Sequence, residues 1–172
     1  LSGPLLVDDL AHGPDDVGDE PLLLASYAPT IIARDRVAGA REAAAHGNII
    51  IMDDGMQNGT LHKDLTLAVI DSGQGLGNGL CVPAGPLRAP FIDQAGIVDY
   101  CIIVGGVAPD HVRSYFKDRL LNARLIPDDA MAQALKGRKI YAVSGIGHPA
   151  KFEQSLKDCG VTIVHHRAFP DH

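Results

Sequence analysis

NIIIMDDG, residues Asn48 to Gly55, is the stretch from which the rest of the chain can be read. Three isoleucines and a methionine run without a polar break into Asp53, Asp54 and Gly55. An apolar run of this length predicts a strand buried on both faces, as in the parallel sheet of an α/β domain. Ligands collect at the carboxyl ends of such strands, and Asp53 and Asp54 fall there. Gly55 lets the chain turn sharply away. A strand that ends in acid is one way phosphoryl-transfer enzymes present a carboxylate to magnesium. An ordinary strand-to-turn junction explains the same residues, because Asp and Gly both favour turns.

On either side the α/β rhythm continues. Upstream, GDEPLLLA reads as a helix begun at Gly18 or Asp19, with Asp19, Glu20 and Pro21 in its first turn and leucines burying its body. Capping and dipole complementarity explain Asp19 and Glu20 as well as catalysis does. Residues 1–16 show neither a buried strand nor a capping pattern. PTIIAR (29–34) reads as a buried strand. The Ala-rich stretch to Gly47 reads as a helix, with Asp35 at its start. Downstream, LTLAVID (65–71) is a further strand ending in acid. SGQGLGNGL follows it, glycine-rich like a phosphate cradle but without the GK[ST] of a Walker A loop. CVPAGPLRAP (81–90) holds three prolines and is the expected domain boundary. Arg88 is the full charge within it. Then come a strand at YCIIVGG, a helix between Pro109 and Leu120, a short strand at ARLIP and a helix from Pro127 to Leu135. A strand at RKIYAVSGIG, a helix at HPAKFEQSLKDCG with Phe152, Leu156 and Cys159 on one face, and a last strand at VTIVHH complete the chain.

Composition narrows the classes. The 172 residues are 46% hydrophobic, enough for a packed core, so global disorder is excluded. Fifteen basic against 21 acidic residues give a net charge of -6, which argues against nucleic acid as a partner held by bulk charge. Cys81, Cys101 and Cys159 show no zinc or CxxC spacing and read as reduced, buried thiols. His46, His62, His111, His148, His165 and His166 show no metal spacing, and most read as surface or capping residues.

Together the motifs carry a resemblance. DDGMQNGTLHKDLTLAVID, GNGLCVPAGPLR, GDEP and SGIGHPAKF are similar to the tetraacyldisaccharide 4'-kinase family of lipid A biosynthesis, over nearly the whole chain. The resemblance implies part of a P-loop-type parallel-sheet domain (1–80), a Pro-rich boundary (81–90) and a smaller C-terminal α/β domain (91–172). It implies ATP and Mg²⁺ as cofactors, with Asp53 and Asp54 as the metal-holding acids. Asp19 is implied as the base for the sugar hydroxyl, Glu20 as its support and His172 as the histidine that pairs with it. Arg88, Gly55 and Gln57 are implied as nucleotide contacts. The implied substrate is a lipid disaccharide, and the implied location is the cytoplasmic face of the bacterial inner membrane, held peripherally.

The sequence departs from the family where Met56 and Asn58 replace a usual Phe and His, and where Ala89 replaces a frequent Glu. No GxxxxGK[ST] occurs in these residues. The expectation is therefore an internal piece of a kinase, inactive alone. A non-catalytic module binding nucleotide or sugar phosphate is the alternative. A metal-dependent phosphohydrolase using Asp53 and Asp54 is a third reading, but such sites recruit more His and Asp ligands than can be placed here.

Overall fold

The computed structural model describes residues 3–170. The chain divides into two compact units, Leu1–Asn122 and Ala123–His172. In the first, β1 (Leu5–Leu6) pairs antiparallel with β2 (Ile31–Ile32). Between them lie α1 (Pro14–Val17) and α2 (Asp19–Ala25). Helix α3 (Arg36–Ala43) follows β2 and is capped by Asp35, whose carboxylate accepts from the amides of Val37 and Ala38 at 2.9 and 3.2 Å. A cap of this kind stabilises a helix by about 1 kcal/mol.

The core is built on β3 (Leu67–Asp71) and β4 (Tyr100–Val104), which are parallel and in register from Leu67 opposite Tyr100 to Asp71 opposite Val104. Strand β5 (Leu120–Ala123) completes a sheet of order β3-β4-β5. Side chains alternate across the sheet. Ile70, Cys101 and Ile103 point inward to Val112 and Phe116 of α5 (Asp110–Phe116) and Ala95 of α4 (Phe91–Ala95), while Leu67 and Val69 are exposed. Ile103, Val112 and Phe116 are fully enclosed, each stabilising the fold by about 1.5–3 kcal/mol. Burial also pushes the Cys101 thiol pKa up.

The second unit is a parallel pair, β6 (Lys139–Ser144) and β7 (Thr162–Ala168), with α7 (Pro149–Asp158) between them in sequence. Helix α6 (Asp129–Leu135) precedes them. Pro149 opens α7, and Phe152 and Leu156 lie on its less exposed side, as their spacing predicts. No helix among the described residues is long and apolar enough to cross a membrane.

Several expectations are corrected. Asn48–Met52 forms no strand, and Ile49 and Ile51 are 85% and 90% exposed. An extended apolar segment becomes a strand only when a neighbour pairs with its amides and carbonyls, and among the described residues none does. The leucines of α2 are not buried. Residues 3–16 hold no buried strand, as expected, but the part-exposed β1 pairs with β2 and the Gly13 amide donates to the Asp16 carboxylate at 2.8 Å. The strand expected at ARLIP falls earlier, as β5. Of the three free thiols only Cys101 is buried. The Pro-rich stretch 81–90 lies inside the first unit, because β3 before it pairs with β4 after it.

That stretch braces itself. The Asn78 amide donates to the Ala84 carbonyl at 2.7 Å, and the Leu80 amide donates to Asn78 Oδ1 at 3.1 Å. Leu87 N bonds Leu80 O and Val82 N bonds Leu87 O. Gly85 sits in the fold of this loop. A Cβ there would lie 2.1 Å from Asn78 Oδ1 and 2.4 Å from the Leu80 carbonyl oxygen. The backbone oxygen cannot swing aside, so Gly85→Ala is expected to destabilise the protein by about 1–3 kcal/mol, the usual range for overpacking. Urea unfolding checks this; an unchanged midpoint would mean the loop relaxes without cost.

Candidate active site

The turn that follows Met52 carries both acids. Asp54 adopts φ 52°, a left-handed conformation that Asp tolerates better than most residues. Gly55 is buried, and a Cβ there would come within 2.5 Å of Met52 Sδ and 2.7 Å of Met52 Cγ. Glycine is thus required by space. Met56 packs against the core of the first unit. The turn is anchored there, while Asp53 and Asp54 stay exposed. Arg36, the first residue of α3, donates from Nη1 to the Asp53 carbonyl at 3.3 Å. The Asp53 carboxylate makes no hydrogen bond among the described residues.

The self-braced loop brings Arg88 to this turn. Arg88 Nη2 donates to Asp54 Oδ2 at 2.5 Å, and Nη1 reaches Gln57 Oε1 at 3.5 Å. Gln57 Nε2 donates to Gln94 Oε1 at 2.6 Å, and Gln94 Nε2 donates to the Ala89 carbonyl at 2.5 Å. The hydrogen bond that Arg88 donates to Asp54, and then the charge of Asp54, push the Arg88 pKa further up. Both partners of the ion pair are more than half exposed, so the pair adds little stability. What it provides is orientation: a guanidinium and two carboxylates held at one surface.

Four residues expected at a common site, Asp54, Gly55, Gln57 and Arg88, are therefore adjacent, with Asp53 beside them. Gln94 was not anticipated. Its only sequence signal is a polar residue one position before the buried Ala95 of α4. Asp19 and Glu20 open α2 and are exposed, and Asp19 Oδ1 accepts from the Glu20 amide at 3.0 Å. Among the described residues no hydrogen bond or ion pair joins Asp19 to Asp53 or Asp54. His172 lies outside the described residues.

No group of three or more His, Cys, Asp or Glu suited to a metal is present among the described residues. Two exposed carboxylates nevertheless suit Mg²⁺. That ion takes one or two carboxylates and keeps waters or phosphate oxygens for its other positions. The free Asp53 carboxylate and the unshared oxygen of Asp54 fit this donor set. The glycine-rich loop after β3 is occupied locally: Asp71 Oδ1 accepts from the amides of Gly73 and Gln74 at 2.9 and 3.1 Å.

The whole chain, residues 1–172, matches the family described as tetraacyldisaccharide-1-P 4'-kinase. Over 177 aligned residues it is 51% identical to the tetraacyldisaccharide 4'-kinase of Nitrobacter hamburgensis, covering all of this chain and 53% of that protein. It is 51% identical to that of a Methylobacterium species and 50% to that of Rhodopseudomonas palustris, covering 53% and 52% of them. The chain thus spans about half the length of the curated relatives it matches. Among solved structures, the "apo" form of LpxK from Aquifex aeolicus in complex with ATP aligns with TM-score 0.67 at 21% identity. That alignment covers all of this chain and 58% of the other, and it places both in the same α/β fold.

Proposed function

We propose, because the chain belongs to the tetraacyldisaccharide-1-P 4'-kinase family, that the protein carrying it transfers the γ-phosphate of ATP to the 4'-hydroxyl of a tetraacylated disaccharide 1-phosphate. The observation that carries this reading is the match over all of residues 1–172, joined to the exposed Asp53-Asp54 turn with Arg88 held against it. Asp53 and Asp54 would hold Mg²⁺, which when bound neutralises phosphate charge. Arg88 is a charge-assisted donor suited to phosphate oxygens, and Gln57 steadies it. Gly55 keeps the turn tight enough for the two carboxylates to stay at the surface.

Asp19 takes the proton from the sugar hydroxyl as its oxygen attacks phosphorus and ADP departs. Glu20 supports it. His172 is the proposed partner of Asp19 in this proton transfer. The lipid substrate favours work at the cytoplasmic face of a Gram-negative inner membrane, with peripheral attachment.

The test uses the complete gene product with radiolabelled ATP, Mg²⁺ and tetraacyldisaccharide 1-phosphate in mixed micelles. Label is expected on the 4'-position of the lipid. Binding of nucleotide without any transfer would favour a non-catalytic module instead.

A further inference from the structure

The inward face of β6 and β7 carries a polar cluster where apolar residues are the rule. Ser144 ends β6 and is 7% exposed, and the His166 side chain on β7 is 10% exposed. Ser144 Oγ lies 2.9 Å from His166 Nε2, and His166 Nδ1 lies 2.6 Å from Glu153 Oε1 on α7. The Phe152 ring covers the imidazole, with centroids 6.2 Å apart. Lys157 Nζ is 3.5 Å from the other Glu153 oxygen. His166 is thus an exception to the surface or capping reading of most histidines: α7 packs over it.

The direction of the bonds follows from the donors available. An ionised Glu153 can only accept, so Nδ1 carries a proton. In the neutral ring Nε2 then accepts from the Ser144 hydroxyl. The hydrogen bond from His166 is the chief reason that the Glu153 pKa is lowered. No buried side-chain polar atom is left without a partner among the described residues.

A satisfied polar relay is not needed to hold a small sheet together. Apolar residues of similar volume serve as well or better. What the relay does locally is tie three elements at the carboxyl edge of β6 and β7, the edge where ligands gather on parallel sheets. The Ser144 carbonyl also accepts from the Phe169 amide at 2.7 Å. Arg167 stacks on the Phe169 ring at 4.6 Å. The exposed loop Gly145–His148 leaves from the same residue, Ser144.

We propose that Ser144, His166 and Glu153 form a positioning relay that fixes the carboxyl edge of the smaller sheet, from the loop that leaves Ser144 to the Phe169 amide bonded to its carbonyl. The proposal rests on the kinase reading above for the reaction it serves. None of the three touches substrate; they act through the segment they hold.

The test replaces both halves of the buried hydrogen bond at once, Ser144→Ala with His166→Leu, in the complete gene product, so that no buried donor is orphaned. The expected result is a melting temperature within a few degrees of wild type, a kcat for lipid phosphorylation lowered at least tenfold and an unchanged KM for ATP. The Phe169 amide should exchange with solvent at least tenfold faster. Wild-type kcat, or wild-type exchange at Phe169, overturns the relay. If the wild-type protein does not phosphorylate the lipid, the kinase reading fails, and Phe169 exchange alone decides the relay. Should the double variant not fold, Glu153→Gln is read in the same way: exchange at Phe169 at least threefold faster supports the relay, and unchanged exchange overturns it.

Discussion

Asp53→Ala in the complete gene product is expected to lower kcat for lipid phosphorylation by about two orders of magnitude or more, because a lost metal ligand removes several kcal/mol of transition-state stabilisation. The fold should be untouched. Asp53 is exposed, its carboxylate makes no hydrogen bond among the described residues, and Arg36 holds its carbonyl, which the substitution keeps. Exposed substitutions of this kind change stability by about 0.5 kcal/mol or less. Loss of turnover with an unchanged unfolding curve is therefore the signature of a ligand. Near-normal kcat at saturating Mg²⁺ would count against the assignment of Asp53 to the metal.

The second large effect concerns Asp19 and His172. General base catalysis is worth roughly 10²–10⁴-fold. Asp19 already spends one oxygen, Oδ1, on the Glu20 amide at the start of α2. The other would be the oxygen that meets the substrate under the proposed role. If Asp19 and His172 share one proton, either alanine variant loses most of the rate. The double variant is then hardly slower than the slower single one, since groups acting as a unit are strongly non-additive. Multiplying losses in the double variant would show two independent contributions and dissolve the pair.

The sequence was most legible where a property is local. β3, β4, β6, α7 and β7 follow from apolar runs and helical spacing, and Pro149 and Gly160 punctuate the last helix as their chemistry requires. NIII misled, because hydrophobicity records a preference for burial and says nothing about which neighbour supplies it. Only the face of β3 and β4 that bears Ile70, Cys101 and Ile103 is covered, while Leu67 and Val69 stay exposed. At the site, adjacent aspartates and a glycine could be read directly. The pairing of Asp54 with Arg88 could not, since it depends on a loop braced by Asn78 and by backbone bonds that carry no sequence signature. Gln94 enters through that same long-range closure. The relay of Ser144, His166 and Glu153 was invisible for a related reason: a histidine in a strand looks the same whether a helix covers it or water does.

The Asp53-Asp54 turn has one more property, which lies in its charge balance. Arg88 grips the carboxylate of Asp54 and Arg36 the carbonyl of Asp53, so two negative charges stand beside two positive ones. The turn is close to neutral within a chain whose formal net charge is -6. It therefore needs no cation to hold its shape, and an arriving ion meets a preformed seat. A divalent ion seated there adds its full charge to a balanced patch, turning it positive against an otherwise acidic chain. Under the proposed function, a polyanionic nucleotide would be repelled by the chain as a whole and drawn to that spot only once the ion has come. On the proposed reading, the two arginines would make attraction of the nucleotide conditional on the metal.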